Sequence, residues 1–135
     1  MNAEDRVEIL DLISRYSYTW DDKDAEGFVG LFLDDALYRF YVSGELIREF
    51  RSNQDRLTLA GSREKGRQSR HYQTNTILEL LEDGSVQGRT MVAVFWQYDD
   101  RPEPTLRRSG TYVDRFVSTT YGWRFASRDV YLDQP

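Results

Sequence analysis

The sequence predicts an α+β fold, with helices first and a long antiparallel meander after them. Three observations carry that expectation. An apolar stripe at three-to-four spacing opens the chain. Strand-like runs separated by turn signals fill the C-terminal half. No proline interrupts the first hundred residues, since the three prolines sit at 102, 104 and 135. A strongly curved sheet folded against the helices would enclose a cavity.

The first helix starts at Asn2, where Asn2 and Asp5 form a capping arrangement and Glu4 and Asp5 suit a first turn. Val7, Leu10, Ile13, Tyr16 or Ser17, and Trp20 then recur along one side, and Asp21-Asp22-Lys23-Asp24 ends the helix. A shorter helix follows Asp24, burying Phe28, Leu31 and Phe32 and closing at Asp34-Asp35. Gly27 and Gly30 weaken it or allow close packing. Residues 36–42 read as a strand, Ser43-Gly44 as a turn, and 45–51 as the returning strand. Ser52 with Asp55 caps a helical turn or two through Leu57 and Leu59. Residues 61–66 form a polar, basic loop. Four strands complete the chain at 69–81, 86–98, 106–119 and 123–132. Asp83-Gly84 closes the first hairpin, and Asp99 to Pro104 is the next turn.

With 135 residues the chain suits one domain, 1–135, and is too short for two ordinary ones. Aromatic residues make up 14% of it, enough ring surface for both a core and a pocket lining. No apolar run approaches the roughly 20 residues needed to cross a bilayer, and no basic-then-apolar leader is visible. The expectation is therefore a cytoplasmic protein with no membrane partner. The absence of Cys excludes disulfides, thiolate nucleophiles and Cys-ligated metals. A single His excludes a multi-histidine zinc site, so no metal is expected. The net charge of −5 argues against nucleic acid as a partner. Chemistry falls to carboxylates, Tyr, Arg and one His.

That His is His71, within Ser69-Arg70-His71-Tyr72-Gln73-Thr74-Asn75. On a strand His71, Gln73 and Asn75 share a face with Ile77. The face either lines a wet pocket or is simply solvated. Asp21, at the end of the first helix, is a carboxylate that would fix the tautomer of an imidazole and stabilise its charged form. Asp21 also suits a plain helix end, and Asp22 and Asp24 compete for that role. Tyr16 lies five residues earlier, about 140° around the helix, so both reach one pocket only at the helix end. Arg128 alternates with Ala126, Val130 and Leu132 on a mostly apolar face. It either lines a cavity and grips an anion or pairs with Asp129 or Asp114. Pocket-lining candidates are Trp20, Phe40, Asn75, Trp96, Tyr98 and Tyr112. Phe95 and Phe116, on outward strand faces, suit an interface as an alternative to a pocket. Isolated Gly110 and Gly122 make no phosphate loop, and no Ser sits in a nucleophile elbow.

Arg15-Tyr16 … Trp20-Asp21 … Asp24, then Leu31-Phe32 … Asp34-Asp35-Ala36, resembles the start of the SnoaL-like branch of the nuclear transport factor 2-like superfamily. The His71 strand matches its middle. Gly110-Thr111-Tyr112-Val113-Asp114-Arg115 and Gly122-Trp123-Arg124-Phe125 … Arg128 match its end. The resemblance spans nearly the whole chain and marks the fold better than the activity. It implies a cone: a curved mixed sheet wrapped by N-terminal helices around a deep pocket, often in a homo-oligomer (dimer or trimer). Asp21 and His71 fall where cofactor-free lyases of the superfamily carry an Asp–His pair (scytalone dehydratase, hexachlorocyclohexane dehydrochlorinase, bile acid 7α-dehydratase). Tyr16 matches a functional Tyr of the last, and Arg128 a pocket Arg of the second. A second pocket His of scytalone dehydratase has no counterpart, since Phe95-Trp96 stands there. Ser69-Arg70-His71 and Arg128 through Gln134 also resemble β subunits of aromatic-ring-hydroxylating dioxygenases, which are mainly structural. The resemblance implies a lyase or isomerase without cofactor, acting on a hydrophobic cyclic small molecule. In that role His71 removes a proton, Asp21 orients it, Tyr16 donates a hydrogen bond and Arg128 holds an anion. The alternatives it implies are a dioxygenase β subunit or a non-catalytic binding protein of the same fold.

Overall fold

The computed structural model describes residues 1–134. The elements run α1 (Ala3–Asp21), α2 (Ala25–Val29), β1 (Phe32–Val42), β2 (Glu45–Phe50), α3 (Asn53–Gly61), β3 (Arg67–Leu80), β4 (Val86–Tyr98), β5 (Arg101–Thr119) and β6 (Gly122–Leu132). The six strands form one open, curved mixed sheet in the order β2-β1-β6-β5-β4-β3. Every pairing is antiparallel except β1 with β6, which run parallel. The helices pack on its concave side, α1 against β3 and β6, and α3 against α2 and β1.

Reciprocal bonds start α1: Asp5 N–H donates to Asn2 Oδ1 (2.8 Å), and Asn2 N–H donates to Asp5 Oδ2 (3.0 Å). Its buried side is Ile9, Leu12, Ile13 and Tyr16, while Val7 and Leu10 are exposed. The stripe expected through Val7 and Leu10 is thus rotated around the helix. Two apolar registers compete in this segment. They differ in the first half of the helix, where Ile9 and Leu12 are buried in place of Val7 and Leu10; both share Ile13 and Tyr16, and Tyr16 meets the aromatic core of Phe28, Phe32 and Phe125.

The expected second helix is cut short. It ends at Val29, and β1 begins at Phe32, so Asp34 and Asp35 are exposed residues of a strand. The pairing of β1 with β6 is irregular between Phe32 and Leu37. Arg56 of α3, fully buried, fills that break. Its guanidinium donates to the carbonyls of Ala36 (2.5 Å), Leu33 (2.8 Å) and Asp34 (3.1 Å), and stacks on the Phe32 ring. Backbone oxygens without strand partners are satisfied by a side chain from a separate helix.

The turn expected over Asp99–Pro104 shrinks to Asp99-Asp100, and both prolines enter β5. They sit where the pairing of β4 with β5 is irregular, between Trp96 and Tyr98, so the missing N–H groups cost no regular ladder bond. Gly110 packs its Cα against the Tyr131 carbonyl, which a Cβ would strike. Phe116 is core, 4.9 Å from the Phe125 ring, whereas Phe95 meets the exposed Tyr72.

At the β3–β4 turn, Asp83 Oδ1 accepts from the Ser85 hydroxyl (2.5 Å) and backbone N–H (2.9 Å), and Oδ2 accepts from Arg115 (2.5 Å). The Ser85 bonds, with Arg115 adding to them, hold the Asp83 carboxyl down at about 2, against an ordinary 3.8. A depressed carboxyl stabilises the fold above its unfolded value and loses that contribution as pH falls through the folded one. Melting temperatures of wild type and Asp83→Asn will therefore differ most above pH 4. They will converge as pH approaches 2 in a thermal melt series.

Candidate active site

A cavity of about 220 Å³ opens between the end of α1 and the concave face of the sheet. α1 contributes Tyr16 and Trp20; β1 contributes Tyr38 and Phe40; β3 contributes Ser69 and His71; β4 contributes Trp96; and β5 contributes Tyr112. Of the six residues expected to line a pocket, Trp20, Phe40, Trp96 and Tyr112 line this one.

Two lie elsewhere. Asn75 is exposed and adopts a left-handed φ of 60°, at an irregularity in β3 between Thr74 and Ile77. The irregularity breaks the alternation, so Leu78 turns inward and Ile77 outward. Tyr98 sits at the far end of β4, stacked under Arg101 at 4.5 Å. It borders a surface depression with Gln97 and Asp99.

Asp21 and His71, fifty residues apart in the chain, meet beside the cavity: His71 lines it, and Asp21 lies buried behind His71. Asp21 is 4% exposed. Its Oδ1 lies 2.7 Å from His71 Nδ1 and accepts from the Ser69 hydroxyl at 2.7 Å. Its Oδ2 accepts the backbone N–H of His71 at 2.8 Å. Ionised, the carboxylate only accepts, so the neutral imidazole carries its proton on Nδ1 and its lone pair on Nε2. Among the described residues Nε2 makes no hydrogen bond to the protein. It is the free nitrogen of a side chain that lines the cavity.

Tyr16, also on the wall, stands edge-on to the His71 ring with centroids 6.2 Å apart. Its hydroxyl shares a 2.5 Å hydrogen bond with that of Tyr38. Burial pushes the Tyr16 hydroxyl above its usual range against the opposing pull of Arg128, and pushes Tyr38 and Tyr112 further up. All three remain neutral donors at physiological pH.

Arg128 does not line the cavity. It is fully buried behind the rings of Tyr112 and Tyr16, its guanidinium carbon 3.9 and 4.2 Å from their centroids. Asp114, directly across on β5, takes Nε (2.7 Å) and Nη2 (2.8 Å), while Nη1 has no partner. Burial alone would lower its pKa, but Asp114 more than offsets this and holds it charged. Asp129, the other carboxylate considered, pairs with Arg39 instead (2.7 and 2.9 Å). The cation expected to grip an anion already has one, from the protein.

Sequence reasoning missed Tyr38, Ser69 and three arginines of the wall, Arg48, Arg67 and Arg108. Alternation would have found two of these: Tyr38 is two residues from Phe40, and Ser69 is two from His71. Among the described residues, no group of three or more His, Asp or Glu could hold a metal ion. No helix is long and apolar enough to cross a membrane.

The SnoaL-like domain matches residues 1–129. No curated protein matches the chain. Three similar solved structures come from Novosphingobium aromaticivorans. One is an NTF2-like protein with a cystatin-like fold: 24% identity, 96% of this chain and 82% of the other, TM-score 0.80. Another is the β subunit of a protein provisionally assigned as an aromatic-ring-hydroxylating dioxygenase: 24% identity, 96% and 89% coverage, TM-score 0.83. The third is a protein provisionally named a scytalone dehydratase: 17% identity, 96% and 84% coverage, TM-score 0.76. At these identities the likeness is one of fold.

Proposed function

The chain belongs to the SnoaL-like domain family, and we propose that it is a cofactor-independent lyase or isomerase of a small, hydrophobic, cyclic molecule. The observation that carries this reading is the 2.7 Å contact of Asp21 Oδ1 with His71 Nδ1 beside the cavity. Among the described residues it leaves the other ring nitrogen, Nε2, without a protein partner, on a side chain that lines an aromatic-rich cavity. The substrate ring packs among Trp20, Phe40 and Trp96. His71 Nε2 takes a proton from carbon, and Asp21 stabilises the imidazolium that forms. The electron pair released from the C–H bond moves toward a ring oxygen or a leaving group. Tyr16, paired with Tyr38, donates a hydrogen bond to that oxygen. In dehydration the imidazolium proton leaves with hydroxide as water; in isomerisation it returns to another carbon. Arg128, held by Asp114, acts through Tyr16 and Tyr112 and positions them.

Proton abstraction is testable without knowing the natural substrate. In D₂O, NMR should detect protein-catalysed exchange of the α-protons of a ring ketone such as 2-tetralone. The exchange should vanish in His71→Ala. Exchange no faster than in buffer across a panel of ring ketones and ring alcohols would refute the reading. A second reading, a dioxygenase β-type subunit, draws on the fold likeness above and on exposed apolar side chains of β3 to β5, among them Tyr72, Met91 and Leu106. It requires an iron–sulfur α subunit to co-purify with the chain.

A further inference from the structure

We propose that the molecule held in the cavity carries an anionic group, a carboxylate or a phosphate, bound at the mouth by Arg48 and Arg108 with Arg67 beside them. The inference deepens the reading of the cavity as a substrate site and rests on it. The chain has 23 acidic residues against 18 Lys and Arg. Yet Arg48, Arg67 and Arg108 line the cavity and no Asp or Glu does. Such a reversal of sign in the lining of a concave surface favours an anion among whatever enters.

The three guanidinium groups are laid over aromatic rings. Arg67 lies 4.0 Å from the Trp96 centroid, Arg108 5.7 Å from the same ring, and Arg48 5.0 Å from Phe50. These ring contacts restrain the planar heads and, at Arg48 and Arg108, leave the N–H groups without a carboxylate partner among the described residues. Arg67 is partly engaged by Glu64 at 3.3 Å. Arg48 and Arg108 form no ion pair among the described residues. Arg128 cannot serve, because Asp114 already neutralises it.

Register sets the span. His71 pairs with Val94 on β4, and Val94 pairs with Arg108 on β5, so the three form one cross-strand row that lines the cavity. Two strand spacings place the His71 and Arg108 backbones roughly 10 Å apart. On the other flank Arg48 pairs with Phe40, Phe40 with Val130, and Val130 with Tyr112, again all lining the cavity. A molecule whose reacting carbon meets His71 and whose charge meets Arg108 therefore has one or two fused rings between them.

The test compares three probes of one shape on the full chain: 2-naphthoate, 2-naphthyl phosphate and neutral 2-naphthamide. Binding is followed by calorimetry and by quenching of Trp20 and Trp96. At low salt, at least one anion should bind about tenfold more tightly than the amide, and salt should erase the difference. The anion with the larger advantage identifies the group. In Arg48→Gln/Arg108→Gln the advantage should fall within twofold; both side chains are exposed, so the fold has no need of them. Equal binding of all three probes, no binding of any at millimolar concentration, or an advantage that survives the double variant would overturn the proposal. His71→Ala separates the two readings. Lost exchange with the anion preference retained supports both. A wild type that catalyses no exchange but keeps the preference removes the lyase reading alone.

Discussion

His71→Ala will lower turnover by roughly 10²- to 10⁴-fold, the contribution of a positioned general base, while the protein stays folded. The imidazole makes one side-chain bond to the protein, to Asp21, and its removal opens space at an existing cavity rather than in the core. Asp21→Asn should also be impaired, for a different reason. An amide nitrogen cannot accept, so at least one of the three bonds that Asp21 now receives from Ser69, the His71 ring and the His71 backbone is lost. Its stability should drop by about 1–3 kcal/mol, as when a buried hydrogen bond is left unmade. Initial rates and urea melts on both variants separate the effects: rate loss at full stability for His71→Ala, and loss of both for Asp21→Asn. Undiminished turnover in His71→Ala would end the proton-abstraction mechanism.

Arg128→Met will unfold more easily than any other single change discussed above, by about 3–5 kcal/mol, because it strands the Asp114 carboxylate in the core. Arg128→Met/Asp114→Leu should recover most of the loss, since the pair itself contributes little over a well-packed apolar replacement. The single variant will also acquire a pH signature. Burial already pushes the Asp114 carboxyl above 3.8 while Arg128 pulls it back. Without Arg128 it rises further, and the folded state binds a proton that the unfolded state releases. Stability then falls as pH climbs from the unfolded value through the raised folded one. Urea melts at pH 4.5 and 7.5 should show the single variant closer to wild type at the lower pH. The double variant should show no such trend.

The fold was legible because each element announces itself locally: the Asn2–Asp5 cap, the Asp83-Gly84 turn, and strand runs of the right length. The edges were not. Nothing near Asp34-Asp35 says that a strand has begun, because the group that satisfies the irregular backbone there is Arg56, some twenty residues on. Nothing around Thr74 and Asn75 signals the irregularity that turns Asn75 outward, since Asn is at home in ordinary strand ends and in left-handed turns alike. In the site, His71 stood out by being single and Asp21 by ending a helix. For Arg128 the alternatives left open by the sequence were an anion-gripping cavity residue or an ion pair with Asp129 or Asp114, and the structure pairs it with Asp114. Alternation fixes which way a side chain points, but not which carboxylate waits on the neighbouring strand. The arginines of the rim escaped notice because isolated arginines on strands look solvated until the sheet curves and gathers them.

The three bonds that Asp21 accepts fasten the last turn of α1 to the first residues of β3, through Ser69 and the His71 backbone as well as the ring. Under the proposed mechanism the clamp that aims the base is also a structural rivet, and the two partners then have unequal evolutionary freedom. A descendant released from chemistry could discard the imidazole at little cost, whereas discarding the carboxylate would loosen the helix from the sheet. Relatives that retired from catalysis should keep the aspartate long after the histidine has gone, as a fossil of the reaction preserved by its second job.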